Sequence, residues 1–442
     1  MEGRIINTRS RIIPRSEHAI SRSNINPNAL KVLYRLKGAG FDAYLVGGGV
    51  RDLLLGREPK DFDIATNALP EEVKKLFRNC LLIGRRFRLA HVRFERDVIE
   101  VATFRGQGDG DSEDEARTET GRILRDNVYG TVEEDAWRRD FTINALYYNI
   151  EDFSVVDFVD GMKDLRAGVL RMIGDPEQRF REDPVRMLRA VRFAARLGFR
   201  IHRDTEAAIR THGHLLEEIP AARLFDESLK LLQSGNGVAT FEQLRRYGLF
   251  AYLFPQTEAC LAQEEHGFPK TLVVRALANT DQRIAEGKSV TPAFLYAALL
   301  WEPVRQALAE REAAGEGELQ ALQDVAKDVV DGQLARISLP KRFSLPMREI
   351  WAMQPRLKKI TGLRPVKLLE HPRFRAAYDF LLLRAEAGDD VGELARWWTE
   401  FQALDENGRL SRVRSEEKTG KKRRARRTKR KAVVQDKPIT ND

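Results

Sequence analysis

From Asn28 onward the chain alternates two hydrophobic periods. NPNALKVLYRLKGAG spaces its apolar residues three and four apart, as one face of a helix requires, and the following AYLV is a short apolar run of strand length. A glycine turn then opens a second helical stretch, VRDLLLG, after which DFDIAT reads as a strand and PEEVKKLF as a helix. Three β-like runs follow near CLLIG, LAHVRF and VIEVATF, then a helix through EEDAWRRDFTINALYY and a short strand near VVDFV. Beyond Asp164 the strand pattern nearly vanishes. DPVRMLRAVRFAARLG, ARLFDESLKLLQSG, ATFEQLRRYGLFAYLF, TPAFLYAALLWEPVRQAL and FRAAYDFLLLRAEAG all carry helical spacing. The pattern predicts an α/β head with a small mixed β-sheet, followed by an all-helical neck and body and a disordered basic tail. The segments are a polar N-terminal arm over 1–27, the head over 28–165, the neck over 166–235, the body over 236–405 and the tail over 406–442. Residues 106–121, with six acids, four glycines and no large apolar residue, read as a mobile loop.

Composition narrows the class. With 442 residues, 42% of them hydrophobic, the chain is long enough for about three domains around ordinary cores. No apolar stretch approaches the roughly 20 residues of a membrane span, and the first thirty residues lack the apolar centre of a signal peptide. A cytoplasmic protein without a membrane partner is expected. The two cysteines, Cys80 and Cys260, lie far apart and form no CxxC pair, which argues against a disulfide framework and a cysteine zinc site. The formal charge of +9 resides in Lys421, Lys422, Arg423, Arg424, Arg426, Arg427, Lys429, Arg430 and Lys431, since the rest of the chain is neutral on the same count. A run this dense cannot bury apolar surface and attracts polyanions by releasing their counterions, which points to RNA or DNA.

The chemistry concentrates in LVGGGVRDLLLGREPKDFDIATN. Asp61 and Asp63 alternate around Phe62, so on a strand both carboxylates face one volume while Phe62 and Ile64 anchor the other face. Two like charges side by side repel, and a divalent cation with oxygen ligands, Mg²⁺ or Mn²⁺, relieves them. Read alone, the pair fits an exposed strand end equally well. Gly47, Gly48 and Gly49 fall where AYLV gives way to a helix, so backbone N–H groups there can approach a phosphate unhindered. Arg51 either neutralises that phosphate or braces Asp52. Glu100 becomes a third carboxylate if its strand neighbours the aspartate strand, and an edge-strand acid otherwise. Arg85, Arg86 and Arg88 read either as phosphate or RNA contacts or as an exposed basic edge.

These residues, with RRDFTINALYY (138–148) and REDPVRMLRAVRFAARLGF (181–199), resemble the class II template-independent nucleotidyltransferases, the family of tRNA CCA-adding enzymes and bacterial poly(A) polymerases. The resemblance implies that Asp61 and Asp63 hold metal, that Gly47, Gly48 and Arg51 contact a triphosphate, and that Arg139, Asp140 and Asn144 line the active-site wall and ribose. Asp140 competes with Glu100 as the third functional acid. On residue pattern alone Arg138 and Arg139 could be a solvated helix face. The resemblance places the neck helix at the incoming base, with Asp183 and Arg186 reading its Watson–Crick edge and Arg189 on the same face. The residues themselves also fit a helix cap before Pro184 and an i,i+3 ion pair.

LLIGRRFRLAHVRF (81–94), the third glycine of GGGVRD, the segments PKRFSLPMREIW and KLLEHPRFRAAYDFLLLRAE, and the basic tail resemble the poly(A) polymerase branch. No histidine is followed by aspartate, so the HD phosphohydrolase domain of some CCA-adding enzymes is not indicated. The resemblance implies transfer of adenylate from ATP to RNA 3′ ends in mRNA processing and decay, with RNA-decay or RNA-chaperone proteins as partners. A CCA-adding enzyme is the alternative within the family, and a non-catalytic RNA-binding protein the alternative outside it.

Overall fold

The computed structural model describes residues 10–84, 88–95, 97–106, 115–117, 123–126, 128–263 and 271–416. The basic run 421–431, Arg85, Arg86 and most of the acidic stretch 106–121 lie outside them. The chain divides into two compact units, Met1–Ile219 and Pro220–Asp442. The boundary falls within the expected neck, leaving residues 166–219 with the head and 220–235 in the second unit.

The first unit is built in the order β1 (Arg11–Ile13), α1 (Pro27–Gly38), β2 (Ala43–Val46), α2 (Gly48–Leu54), β3 (Asp63–Thr66), α3 (Pro70–Leu76), β4 (Cys80–Ile83), β5 (Leu89–Phe94) and β6 (Asp97–Thr103). It continues with β7 (Glu115–Arg117), β8 (Ile123–Asp126), α4 (Val132–Arg138), β9 (Leu146–Asn149), β10 (Val155–Asp157), α5 (Gly161–Ala167), β11 (Val169–Leu170), α6 (Pro176–Glu182), α7 (Val185–Leu197), β12 (Arg200–Ile201) and α8 (Arg203–His212). One eight-stranded sheet runs β1-β10-β9-β2-β3-β6-β5-β4, with β3 and β6 its one parallel pair. Helix α1 begins at Asn26, whose side chain accepts the Asn28 N–H, with Pro27 in the first turn where its missing N–H costs nothing. It buries Ala29, Val32, Leu33 and Leu36, spaced three and four apart, and packs on β2, β3 and β6. Those three strands carry the glycine turn, Asp63 and Glu100.

Four expectations need revision. The predicted polar arm contains β1, which pairs with β10 at the sheet edge, and its Ile13, Ile20 and Ile25 are buried. Single apolar residues this far apart set up no period. The predicted aspartate strand starts only at Asp63, so Asp61 and Phe62 precede it. The long helix through EEDAWRRDFTINALYY ends at Arg138, and the chain crosses a turn at Thr142–Asn144 into β9. There Leu146, Tyr147 and Tyr148 are all buried between β2 and β10, and an aromatic run buried on both faces favours a strand over its local helical spacing. Within the acidic stretch, β7 pairs with β8 rather than forming loop alone.

The second unit is helical throughout its described residues. One of its cores gathers Leu357, Phe374, Tyr378, Trp398 and Phe401, and the Trp398 indole N–H donates to the Leu357 carbonyl at 3.0 Å. No helix of the described residues is long and apolar enough to cross a membrane.

Ile20→Ala tests whether the N-terminal segment belongs to the head. Loss of this fully buried side chain should cost about 2 to 5 kcal/mol in urea denaturation, whereas an arm lying free would lose less than about 0.5 kcal/mol.

Candidate active site

Strand β2 ends at Val46, and Gly47 turns the chain into α2 at φ +75° and ψ −139°, a backbone conformation that side chains disfavour. A Cβ at Gly47 would lie 3.6 Å from Asp63 Oδ2 and 3.7 Å from Arg139 Nη1, so the turn directly borders an acid and a guanidinium. At Gly49 a Cβ would come within 3.2 Å of the Asp61 carbonyl, which fixes the approach of α2 to the aspartate segment.

The β3–β6 register sets Asp63 directly beside Glu100, and β5 sets His91 beside Glu100 on the other side. The strand adjacency that sequence left open therefore exists. His91 Nε2 lies 3.3 Å from Glu100 Oε1. Burial pushes the Asp63 carboxyl up to about 6, the charges of Glu100 and Asp61 push the same way, and the Arg139 guanidinium opposes them. Asp61 is exposed at the mouth of the strand. Among the described residues no three His, Cys, Asp or Glu side chains are gathered as a metal cluster. The donor set is two carboxylates, with a third charge raising the cost of ionising Asp63. That chemistry fits Mg²⁺, which binds through one or two carboxylates and completes its shell with substrate phosphates and water.

Arg139 is anchored from behind: Nε donates to Tyr147 Oη at 2.8 Å and Nη2 to Asp135 Oδ2 at 2.9 Å, while Tyr147 Oη donates to the same Asp135 oxygen at 2.6 Å. Arg139 is thus not part of a solvated helix face. Asp135 and Tyr147 escaped the sequence reading, although the i,i+4 spacing of Asp135 and Arg139 is a legible sign of the pair.

Arg51 is only 2% exposed. Its Nε and Nη2 donate to Asp52 Oδ1 at 2.8 and 2.7 Å and its Nη1 to Asn144 Oδ1 at 2.7 Å. Of its two readings, this geometry shows the brace, which engages three of the five guanidinium N–H groups. Asn144 in turn donates to Asp140 Oδ1 at 3.2 Å, and Arg189 of α7 grips Asp140 Oδ2 through Nε at 2.8 Å and Nη2 at 2.6 Å. Arg196, two turns further along α7, reaches Asp52 Oδ2 at 3.2 Å.

At the start of α7, Asp183 accepts the Val185 N–H at 3.3 Å, the capping role its place before Pro184 suggests. The Arg186 guanidinium does not pair with Asp183; Nη1 donates to Glu182 Oε2 at 2.8 Å and to the Arg179 carbonyl at 2.7 Å. Arg179 shares Glu182 and donates to the carbonyls of Arg138 and Arg139 at 2.5 and 2.7 Å. Glu182 and Arg179 were also missed, the i,i+4 pair Glu182 and Arg186 being their available sign. Arg88 pairs with Glu71 at 2.8 Å with both side chains about half exposed, as a basic edge would.

The Gly47 turn beside Asp63 and the Asp140–Arg189 pair belong to a nucleotidyltransferase head. Comparison with known proteins makes the class specific. Residues 43–171 match the family model described as the poly A polymerase head domain, 198–261 that described as a probable RNA and SrmB-binding site of polymerase A, and 314–432 that of the polymerase A arginine-rich C-terminus. Poly(A) polymerase I of Salmonella typhi is 51% identical over 429 residues, 95% of this chain and 92% of that protein. A CCA-adding enzyme of Geobacillus stearothermophilus is 42% identical, over 51% of this chain and 54% of its own. Among solved structures, the Bacillus stearothermophilus CCA-adding enzyme in complex with CTP matches with a TM-score of 0.52 at 29% identity, covering 85% of this chain and 82% of that one. The chain belongs to the poly(A) polymerase I family, and its enzymatic class is polynucleotide adenylyltransferase.

Burial alone would raise the Asp140 carboxyl, but the Arg189 charge, with hydrogen bonds from Arg189, Asn144 and the Phe141 N–H, outweighs it and holds Asp140 at about 2, below the ordinary 3.8. A depressed carboxylate stabilises the fold above its unfolded value and loses that contribution as pH falls toward the folded one. Asp140→Asn should therefore cost about 2 kcal/mol near pH 7, and the gap in urea midpoints from the parent should narrow between about pH 5 and pH 3. A gap independent of pH would contradict the pairing.

Proposed function

We propose that the enzyme extends RNA 3′ ends with adenylate from ATP, without a template, in mRNA processing and decay. The observation that carries the residue assignment is the register of Asp63 against Glu100 beside the Gly47 turn. Asp61 and Asp63 would hold the divalent cation, Mg²⁺ or Mn²⁺, which when bound lowers the pKa of the attacking hydroxyl and neutralises phosphate charge. Gly47 and Gly48 let the backbone approach the triphosphate, and Arg139, fixed by Asp135 and Tyr147, presents Nη1 toward the same turn. The RNA 3′-oxygen bonds to the α-phosphorus as the bridge to the β-phosphate breaks, the hydroxyl proton is lost, and pyrophosphate leaves in line. Positioning supplies much of the acceleration, because the groups that face the reaction are held by buried partners before substrate arrives.

Asp183 and Arg186 read the edge of the incoming base. Their support is preorganisation: Asp183 is committed to the cap and Arg186 to Glu182 and a carbonyl, which fixes both in one orientation. Asp140, fully engaged with Arg189 and Asn144, acts as a wall-positioning acid in this reading, and Glu100, facing Asp63, is the third carboxylate near the metal. The basic run Lys421 to Lys431 gives salt-sensitive, sequence-indifferent affinity for RNA. The match of residues 198–261 to a segment described as binding RNA and SrmB supports a partner from RNA decay or remodelling. The cytoplasm is the proposed compartment, supported by the free Cys80 and Cys260 and by a substrate pair of RNA and ATP.

The CCA-adding alternative and a non-catalytic RNA-binding protein are separated from this reading by one assay. Purified protein with Mg²⁺ is offered a generic single-stranded RNA and a tRNA lacking its CCA end, each with ATP alone and with ATP plus CTP. Long A tails on both RNAs are expected. Addition that stops at CCA on tRNA alone would identify a CCA-adding enzyme, and no addition at all a binding protein. Asp61→Ala and Asp63→Ala should each lower kcat at least ~100-fold with RNA affinity retained. Deleting residues 417–442 should weaken RNA binding and flatten its salt dependence while sparing turnover at saturating RNA, and unchanged binding across a salt series would refute the tail's role.

A further inference from the structure

The second unit carries an open groove of about 660 Å³ between the helices Leu272–Ala285, Pro292–Leu299, Lys341–Leu357 and Phe374–Glu386. Its floor is apolar and aromatic, with Phe294 and Phe343 half-buried beside Ile350 and Leu382. Most of its rim cations are already neutralised: Lys288 pairs with Glu286 at 2.6 Å, Arg375 with Asp379 at 3.0 Å and Arg373 with Glu349 at 2.9 Å. Arg283 and Arg342 differ. Arg283 donates to the Ser289 carbonyl at 3.2 Å, and Arg342 lies over the Phe343 ring at 4.9 Å, but neither has a carboxylate partner among the described residues. Glu386 is the remaining acid on the rim.

Two exposed guanidinium groups beside an aromatic floor are the elements of a single-strand platform, where bases stack on rings and phosphates meet cations. An acidic protein segment would meet the same cations, yet it would leave the aromatic floor without a π-face to stack on it. We propose that this groove grips single-stranded RNA upstream of the 3′ end, with Arg283 and Arg342 on backbone phosphates and Phe294 beneath an unstacked base, while Phe343, stacked on Phe225 at 5.8 Å and covered by Arg342, supports the floor. The proposal rests on the polynucleotide-extending activity above and assigns part of the RNA grip to a specific surface.

The test measures binding of a labelled oligoadenylate to the full-length chain across a salt series. Arg283→Gln and Arg342→Gln should each weaken binding about 3-fold and reduce the slope of log K against log salt by about 0.7, the double variant by about 1.4. The KM for ATP at saturating RNA should not move. Phe294→Leu should weaken binding with the slope unchanged, since it removes stacking and no charge. Arg342 is exposed in the first turn of its helix, so its replacement by Gln leaves the fold intact and the result interpretable. A double variant that matches the parent in affinity and slope overturns the proposal, including the case in which an acidic protein segment is the true occupant. A parent chain that binds oligoadenylate but extends no RNA overturns instead the activity on which the proposal rests.

Discussion

The first unit depends on a buried ion pair between consecutive residues. Arg51 and Asp52 are 2% and 3% exposed, and two charges withdrawn from water are tolerated only when their remaining hydrogen-bonding capacity is used. Here it is used outward. Arg51 spends its third nitrogen on Asn144, Asn144 its amide on Asp140, and Asp140 its second oxygen on Arg189, while the second oxygen of Asp52 takes Arg196. The chain of bonds leaves α7 at Arg196, crosses α2 and the turn after α4, and returns to α7 at Arg189. Phe193 fills its middle, with the guanidinium carbons of Arg51 and Arg189 each 5.3 Å from its ring centre. Because these bonds link α2, the turn after α4 and α7 in one circuit, the glycine turn, the Asp140 turn and the neck helix hold one mutual geometry.

Charge is distributed oppositely on the two sides of the Gly47 turn. On the sheet side burial, with the charges of Glu100 and Asp61 adding to it and Arg139 opposing, raises Asp63 to about 6. On the helix side every acid is over-supplied: Asp140 is held at about 2, and Asp135 lies below its ordinary value despite burial because Arg139, Tyr147 and the Arg105 N–H all bond to it. A carboxylate already saturated by arginine is a poor metal ligand, whereas one destabilised by its neighbours gains most from a divalent ion. That contrast supports the proposal that Asp61 and Asp63, rather than Asp140, would hold the metal.

Much of this was legible in the chain. The glycine turn, the DFD spacing and the neck cap are local patterns, and local patterns survive into structure: Asp63 faces the Gly47 turn, and Asp183 caps α7. The pairing of Glu100 with Asp63 was not legible, since it depends on which of several strands inserts beside β3. Arg51 was legible as an important position but not as a buried one, because burial of an arginine is decided by its partners, and Asn144 lies 93 residues away. β9 was misread for a related reason: Tyr147 and Tyr148 show helical spacing in sequence, and only their place between β2 and β10 makes them strand residues. Sequence missed what tertiary partners decide.

The division of labour between the units follows from the same constraint. A site whose positions are mutually locked can select a nucleotide but has no slack to adapt to many different polymers, so variability in the acceptor must be accommodated elsewhere. The second unit has the means. Its groove holds two guanidinium groups without a carboxylate partner among the described residues, and the polybasic run adds nine cations with no acid among them. On the proposed reading the groove would bind through charge and stacking and the polybasic run, which has no aromatic residue, through charge alone, and neither would require a particular sequence. Selectivity for the incoming nucleotide and indifference to the RNA therefore have separate physical origins, the first in buried pairs that permit one geometry and the second in exposed cations that permit many.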